Sequence, residues 1–195
     1  MGDLTSLCVY CGSSAGDDPK YLDAAVELGR ACAAQNVRLV YGGGNIGLMG
    51  ACADAARSAG GPVLGIIPDF LLQKEGLLDG IENIIVTTMH ERKQILFESA
   101  DAFCVLPGGI GTMDEFIETA SWIRLGLHHK PIVLANIGGY WSPMQLLLSH
   151  AIDHGFLERS FSTSYRFVDD VSTVITEARN MLQTSLERRD NQDNI

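Results

Sequence analysis

The chain has 195 residues, 46% hydrophobic and 19% charged, which suits one domain with a sizeable buried core and calls for no second. A formal net charge of −10 sets the surface against a long phosphate backbone and excludes nucleic acid as a partner, although a local phosphate site is compatible with it. The opening MGDLTSLCVY has no basic region followed by a long apolar stretch, and no apolar run approaches the ~20 residues of a membrane span, so a cytoplasmic protein without membrane contact is expected.

Leu4 to Tyr10 reads as a strand that opens into Cys11, Gly12, Ser13 and Ser14, which places small polar groups at a sheet's carboxyl edge and makes Ser14 a candidate contact for a phosphate or a base. The five cysteines, Cys8, Cys11, Cys32, Cys52 and Cys104, are odd in number and lie mostly in apolar segments, as reduced core residues do. Cys8 and Cys11 spell CxxC, but the pair starts within a strand rather than at a helix N-terminus, so a redox role is set aside. Apolar spacing from Lys20 to Gln35 predicts a helix, and Arg38 to Tyr41 predicts a strand. GGGNIGLMG follows at once, leading into a small-residue helix through Ala59. Gly42, Gly44 and Gly47 satisfy GxGxxG, and Asp69 stands roughly where a dinucleotide fold places its ribose acid, so an NAD(P)-dependent oxidoreductase is a rival reading. Against it, the fingerprint follows the second strand, a second glycine cradle lies further on, and the length holds no second dinucleotide half. No GK[ST] follows the glycines, which excludes a Walker loop.

Gly61 to Ile67 predicts a third strand. Pro68 to Gly80 has no period yet carries Phe70, Leu71, Leu72, Leu77 and Leu78, an apolar loop expected to cover the site or a partner subunit. Asn83 to Thr88 predicts a strand and Met89 to Glu98 a helix, in which the planar fork of Arg92 suits a carboxylate or phosphate as a lysine does not. Ala102 to Leu106 then reads as a buried strand ending in LPGGIGTMDEFIE. Pro107, Gly108, Gly109 and Gly111 leave backbone amides open, Thr112 is the expected N-cap, and the helix start suits a phosphate. Glu115 falls about one turn inside, where the dipole favours its ionised form. Pro131 to Ala135 is another strand, followed by the turn NIGGYW. His150 and His154 lie one helical turn apart without an HExxH pattern or a third ligand, so no metal site is assigned. A strand ending at Phe167 and a helix over 171–186 close the chain, with 187–195 a polar, fraying tail. The alternation predicts an α/β fold, a mostly parallel sheet with helices on both faces, its glycine loops converging at the carboxyl edge.

PGGxGTxxE (Pro107 to Glu115), MHERK (Met89 to Lys93) and GGGNIGLMG (Gly42 to Gly50), in this order, resemble the LONELY GUY (LOG) family from about Leu7 to about Asp153. NIGGYW is similar to the family's NxxGYY. The family's usual Gln before LG is Arg124 here, a departure that bears on what the resemblance implies for the base-side pocket or dimer surface and not on the cradle. The resemblance implies a single Rossmann-like domain over 1–186 that hydrolyses cytokinin riboside 5'-monophosphate or AMP to free base and ribose 5-phosphate. It implies no cofactor, Arg92 and Glu115 as the paired catalytic residues, and Gly43, Gly44, Met49, Met89 and Lys93 at the nucleotide beside the cradle residues Pro107, Gly108, Gly109, Gly111 and Thr112. On this reading Arg92 orients Glu115 and keeps it ionised. Asp114 is a weak candidate for protonating the leaving base. At least a homodimer is implied, with Trp122, Ile123 and the Phe70 to Leu72 loop as candidate buried surface. The alternative is a non-catalytic nucleotide-binding or sensing protein. A lysine decarboxylase label lacks a Schiff-base setting among Lys20, Lys74, Lys93 and Lys130.

Overall fold

The computed structural model describes residues 3–192, with side chains through Ser185. Seven strands form one sheet in which every pairing is parallel: β1 (Ser6–Tyr10), β2 (Arg38–Tyr41), β3 (Val63–Pro68), β4 (Glu82–Val86), β5 (Ala102–Val105), β6 (Ile132–Ala135) and β7 (Tyr165–Val168). The expected mostly parallel sheet is thus parallel throughout. The central strands SLCVY, AFCV and IVLA are buried at every residue, because helices cover both faces.

The helices are α1 (Pro19–Ala34), α2 (Gly47–Ser58), α3 (Leu72–Glu75), α4 (Met89–Glu98), α5 (Ile110–Arg124), α6 (Ser142–Asp153) and α7 (Val174–Gln192). Alternation along the strands divides the core in two. Leu7, Val9, Leu39, Tyr41 and Cys104 pack with Leu28 of α1, Cys52 of α2 and Ile175 of α7. Cys8, Tyr10, Val40, Phe103 and Val105 pack with Leu96 of α4, Phe116 of α5 and Leu148 of α6. All five cysteines are free and buried, as expected of core residues.

Local chemistry sets the helix starts. Asp18 caps α1 by accepting from the Lys20 amide at 3.0 Å, and Thr88 caps α4 by accepting from the Glu91 amide at 3.1 Å. Glu91 in turn accepts from the Thr87 amide at 3.1 Å, the helix-start support its position suggests. The last helix begins three residues later than expected, after a 3-10 turn over Val171–Thr173, and runs past Leu186 to Gln192. The expected tail over 187–195 therefore starts as helix, and 193–195 lie outside the described residues.

The strand order is β4-β3-β2-β1-β5-β6-β7. The chain builds outward from β1 on one side, then returns to build outward from β5 on the other. The seam between β1 and β5 is the switch point, where adjacent connections leave in opposite directions and open a crevice at the carboxyl edge. At the amino edge Asp101 clasps this seam: its Oδ2 accepts from the Thr5 and Ser6 amides, both at 2.9 Å, and from their hydroxyls at 2.7 and 3.0 Å.

Candidate active site

A cavity of about 290 Å³ opens at that switch point. The exit of β1 (Cys11, Gly12, Ser13), the start of α5 (Gly109 to Thr112, Glu115), Met49 of α2, Glu75 of α3 and Arg92 of α4 all line it. A groove of about 320 Å³ lies by the amino ends of β6 and β7, between Pro131, Arg166 and Asn180, but no glycine loop reaches it. Chemistry-bearing groups gather in the smaller one.

The cradle forms where β5 turns into α5. Gly109, extended at φ −86° and ψ −153°, is the N-cap, and no side chain caps the helix. Met113 is the first amide to bond back into the helix, to the Gly109 carbonyl at 3.1 Å. The N–H groups of Ile110, Gly111 and Thr112 ahead of it have no helical partner, and with the positive dipole end they suit an anion. Thr112 is therefore not the expected N-cap. It sits inside the first turn, buried, with its hydroxyl packed on Gly108, and any side chain on Gly108 would collide with it. Gly12 ties the cradle to the second glycine loop: its amide donates to the Pro107 carbonyl at 3.0 Å and its carbonyl accepts from the Leu48 amide at 3.1 Å. Tyr140, in the NIGGYW turn, donates its hydroxyl to the Gly108 carbonyl at 2.7 Å. Neither Gly12 nor Tyr140 was assigned a site role from sequence, although Tyr140 stood within a noted motif.

Arg92 is buried beneath the cavity. Its Nε donates to the Ile66 carbonyl at 3.1 Å and its Nη2 to the Gly42 carbonyl at 3.0 Å, while Nη1 lies 3.9 Å from the Met89 sulfur. The guanidinium thus hangs from the ends of β2 and β3, and it does not grip Glu115 as expected. Burial pushes the Glu115 carboxyl up to about 7, against the pull of Arg92 and Lys93. The dipole and Arg92 were expected to keep it ionised, and burial outweighs them. Glu115 stands about one and a half turns into α5, where the dipole has faded. Lys93 pairs with Asp114 at 2.7 Å and Glu118 at 3.2 Å, which draws it to the flank of α5 and away from the cavity lining. The same pair occupies Asp114, whose side chain is 56% exposed, so it is poorly placed to protonate a leaving base.

Ser14 turns back to accept from the Gly16 amide at 3.3 Å, and Ser13 lines the cavity in its place. Gly43 adopts φ +82° and presses on the backbone of Ile66 and Ile67. Gly44 underlies Met49 and Glu75. Asp69, the residue that suggested a ribose acid in a dinucleotide fold, is exposed and outside the lining. Glu75 escaped sequence reading altogether, because the segment carrying it has no period.

A family model described as "Possible lysine decarboxylase" matches residues 49–178. A probable cytokinin riboside 5'-monophosphate phosphoribohydrolase of Oryza sativa subsp. japonica is 42% identical over 170 residues, 87% of this chain and 75% of that protein. A cytokinin riboside 5'-monophosphate phosphoribohydrolase of Arabidopsis thaliana is 46% identical over 156 residues, covering 79% and 68%. The chain belongs to the LONELY GUY (LOG) family. The motifs that resemble those of the LOG family lie in both glycine loops and in the helix that carries Arg92. Among solved structures, the Moco carrier protein of Chlamydomonas reinhardtii superposes with a TM-score of 0.69 at 22% identity, over 93% of this chain and 99% of that one. That likeness shows the Rossmann-like architecture shared with this LOG protein.

Proposed function

We propose that this protein hydrolyses the N-glycosidic bond of adenine-type nucleoside 5'-monophosphates, cytokinin riboside 5'-monophosphate or AMP, releasing free base and ribose 5-phosphate. The observation that carries this reading is a carboxyl poised near 7, Glu115, in one cavity with a helix-start anion cradle and a buried guanidinium. The cradle takes the phosphate, which sets the sugar beside Glu115. Breaking the bond to the base builds positive charge on the ring, and a carboxylate there stabilises that charge and draws a proton from the attacking water. Arg92 supplies a fixed positive field at the floor of the same cavity. The names carried by the rice and Arabidopsis relatives support the same reaction.

No cofactor enters this reading, and the lysines do not favour decarboxylation. Lys20 pairs with Asp18 at 2.7 Å, Lys93 with Asp114 at 2.7 Å, Lys130 donates to the Phe97 carbonyl at 2.6 Å, and none of the four lines the cavity. The reading extends to a cytoplasmic homodimer, supported by the buried free cysteines and by apolar side chains left exposed on α5, Ile110 and Ile117. Trp122, a candidate for that buried surface, is half-buried with its ring edge-on to Phe97 at 5.0 Å, whereas Phe70 is exposed. The test is incubation with AMP and with isopentenyladenosine monophosphate, followed by chromatography for free base. The wild type is expected to release base, and Glu115→Gln to lose ~10²-fold or more, as removal of an acid–base group does. If AMP binds but neither substrate is cleaved, a nucleotide-binding protein without hydrolysis replaces this reading.

A further inference from the structure

The connection between β3 and β4 delivers a second carboxyl to the cavity. Glu75 closes the short helix α3, and its backbone carbonyl is fixed by the Asn45 amide at 2.9 Å. Gly76 then turns the chain away at φ +67°. The side chain reaches over the glycine run, so that a methyl group added to Gly44 would meet Glu75 Oε2 at 2.8 Å and the Met49 methyl at 3.0 Å. That Oε2 is buried and has no hydrogen-bond partner. A buried carboxylate oxygen without a donor is unfavourable, so a site that keeps one is built for a donor that arrives with a ligand. The neighbouring guanidinium does not supply one: Arg92 gives its hydrogen bonds to the Ile66 and Gly42 carbonyls, and none reaches Glu75 Oε2.

A carboxylate only accepts hydrogen bonds. In a nucleoside 5'-monophosphate held by its phosphate at the head of α5, donors are found on the ribose hydroxyls and, for adenine, on the exocyclic amine. Position decides between them. Arg92 packs against Gly42, Glu75 against Gly44, and Met49 touches both glycines, so Glu75 and Arg92 stand side by side along one strand exit, where the sugar rather than the base is expected. We propose that Glu75 is the ribose-binding carboxylate, accepting hydrogen bonds from the 2'- and 3'-hydroxyls and restricting the site to ribonucleotides. The inference rests on the proposed nucleotide substrate. It adds that a hydrogen bond from the 2'-hydroxyl to Glu75 strengthens as charge builds on the ring.

Calorimetric titration of AMP, 2'-deoxyadenosine monophosphate and inosine monophosphate against wild type, Glu75→Ala and Glu75→Gln tests this. Wild type is expected to bind AMP on the order of 10- to 100-fold more tightly than the deoxy form, the range for a hydrogen bond to a charged group. Glu75→Ala is expected to bind both equally, at the wild-type affinity for the deoxy form. Glu75→Gln, nearly isosteric, is expected to lose most of the discrimination while binding inorganic phosphate as wild type does, which separates loss of ribose recognition from loss of folding. Equal wild-type affinity for AMP and the deoxy form overturns the proposal. So does a Glu75 variant that keeps that ratio but loses the preference for AMP over inosine monophosphate, since the carboxylate then reads the base. Base release from AMP is followed alongside: ribose discrimination without cleavage removes the hydrolase reading and leaves Glu75 in place, and cleavage without discrimination does the reverse.

Discussion

A carboxyl that titrates near 7 divides its time between a form that can take a proton and one that can give it. Glu115 is such a group, and its burial makes two measurable quantities depend on pH. If the carboxylate is the working form, kcat/KM rises with pH along an acid limb centred near 7 and levels off above it, and a profile flat across that range removes Glu115 from the chemistry. Stability runs the other way. The folded-state value, about 7, lies above the ordinary 4.5, so between the two the folded protein holds the proton more firmly than the unfolded chain does. The stabilisation is complete below the ordinary value and is lost as pH rises through about 7. Glu115→Gln, which cannot ionise, is therefore expected to exceed wild type in stability at about pH 8 by on the order of 1–3 kcal/mol and to converge on it toward about pH 5. Urea denaturation at both pH values measures the gap. A variant less stable than wild type at the higher pH contradicts the burial account.

Among the helices, α1 packs against α2 at Gly29, which leaves no room there for a side chain. A methyl group there would collide with the Cys52 carbonyl and meet the Ala56 amide at 3.0 Å. Both are backbone atoms and cannot swing aside. Gly29→Ala is expected to lower stability by about 1–3 kcal/mol through overpacking, despite the better helix propensity of alanine. Thermal unfolding followed by circular dichroism checks it, and an unchanged or raised midpoint would show that the helices separate at little cost. What sequence could foretell at this scale tracks how local the cause is. The strand runs and glycine turns are written in consecutive residues, and both loops appear where their composition puts them. The start of α5 was misplaced because Thr112 has good capping chemistry, whereas Gly109 reaches the needed extended backbone with none. Glu75 was invisible because its carboxyl meets the cavity only after the β3–β4 connection folds back over Gly44, a contact that no spacing encodes.

At the scale of the molecule, Ile110 and Ile117 lie about two turns apart on one side of α5 and are 84% and 43% exposed. If this face joins two copies, wild type sediments as a dimer and Ile117→Asp as a monomer at micromolar concentration; a variant that still sediments as a dimer places the interface elsewhere. The mostly parallel sheet and the glycine loops at its carboxyl edge were legible in the order of the elements; the strand order that puts the switch point between β1 and β5 was not, nor was the seat of Arg92, because the Ile66 and Gly42 carbonyls that hold it lie far from it in sequence. That seat carries a further consequence. Arg92 is bolted to β2 and β3, and Glu115 rides on α5 beyond β5, so the two groups are the jaws of a caliper whose hinge is the β1–β5 seam. No hydrogen bond or ion pair among the described residues joins the two tips, so the gap follows from where the carrying elements sit. Asp101, clasping Thr5 and Ser6 at the far edge of that seam, is then the set-screw. Loosening it, as in Asp101→Ala, is expected to lower kcat/KM from the opposite side of the molecule, and a variant as active as wild type contradicts the coupling.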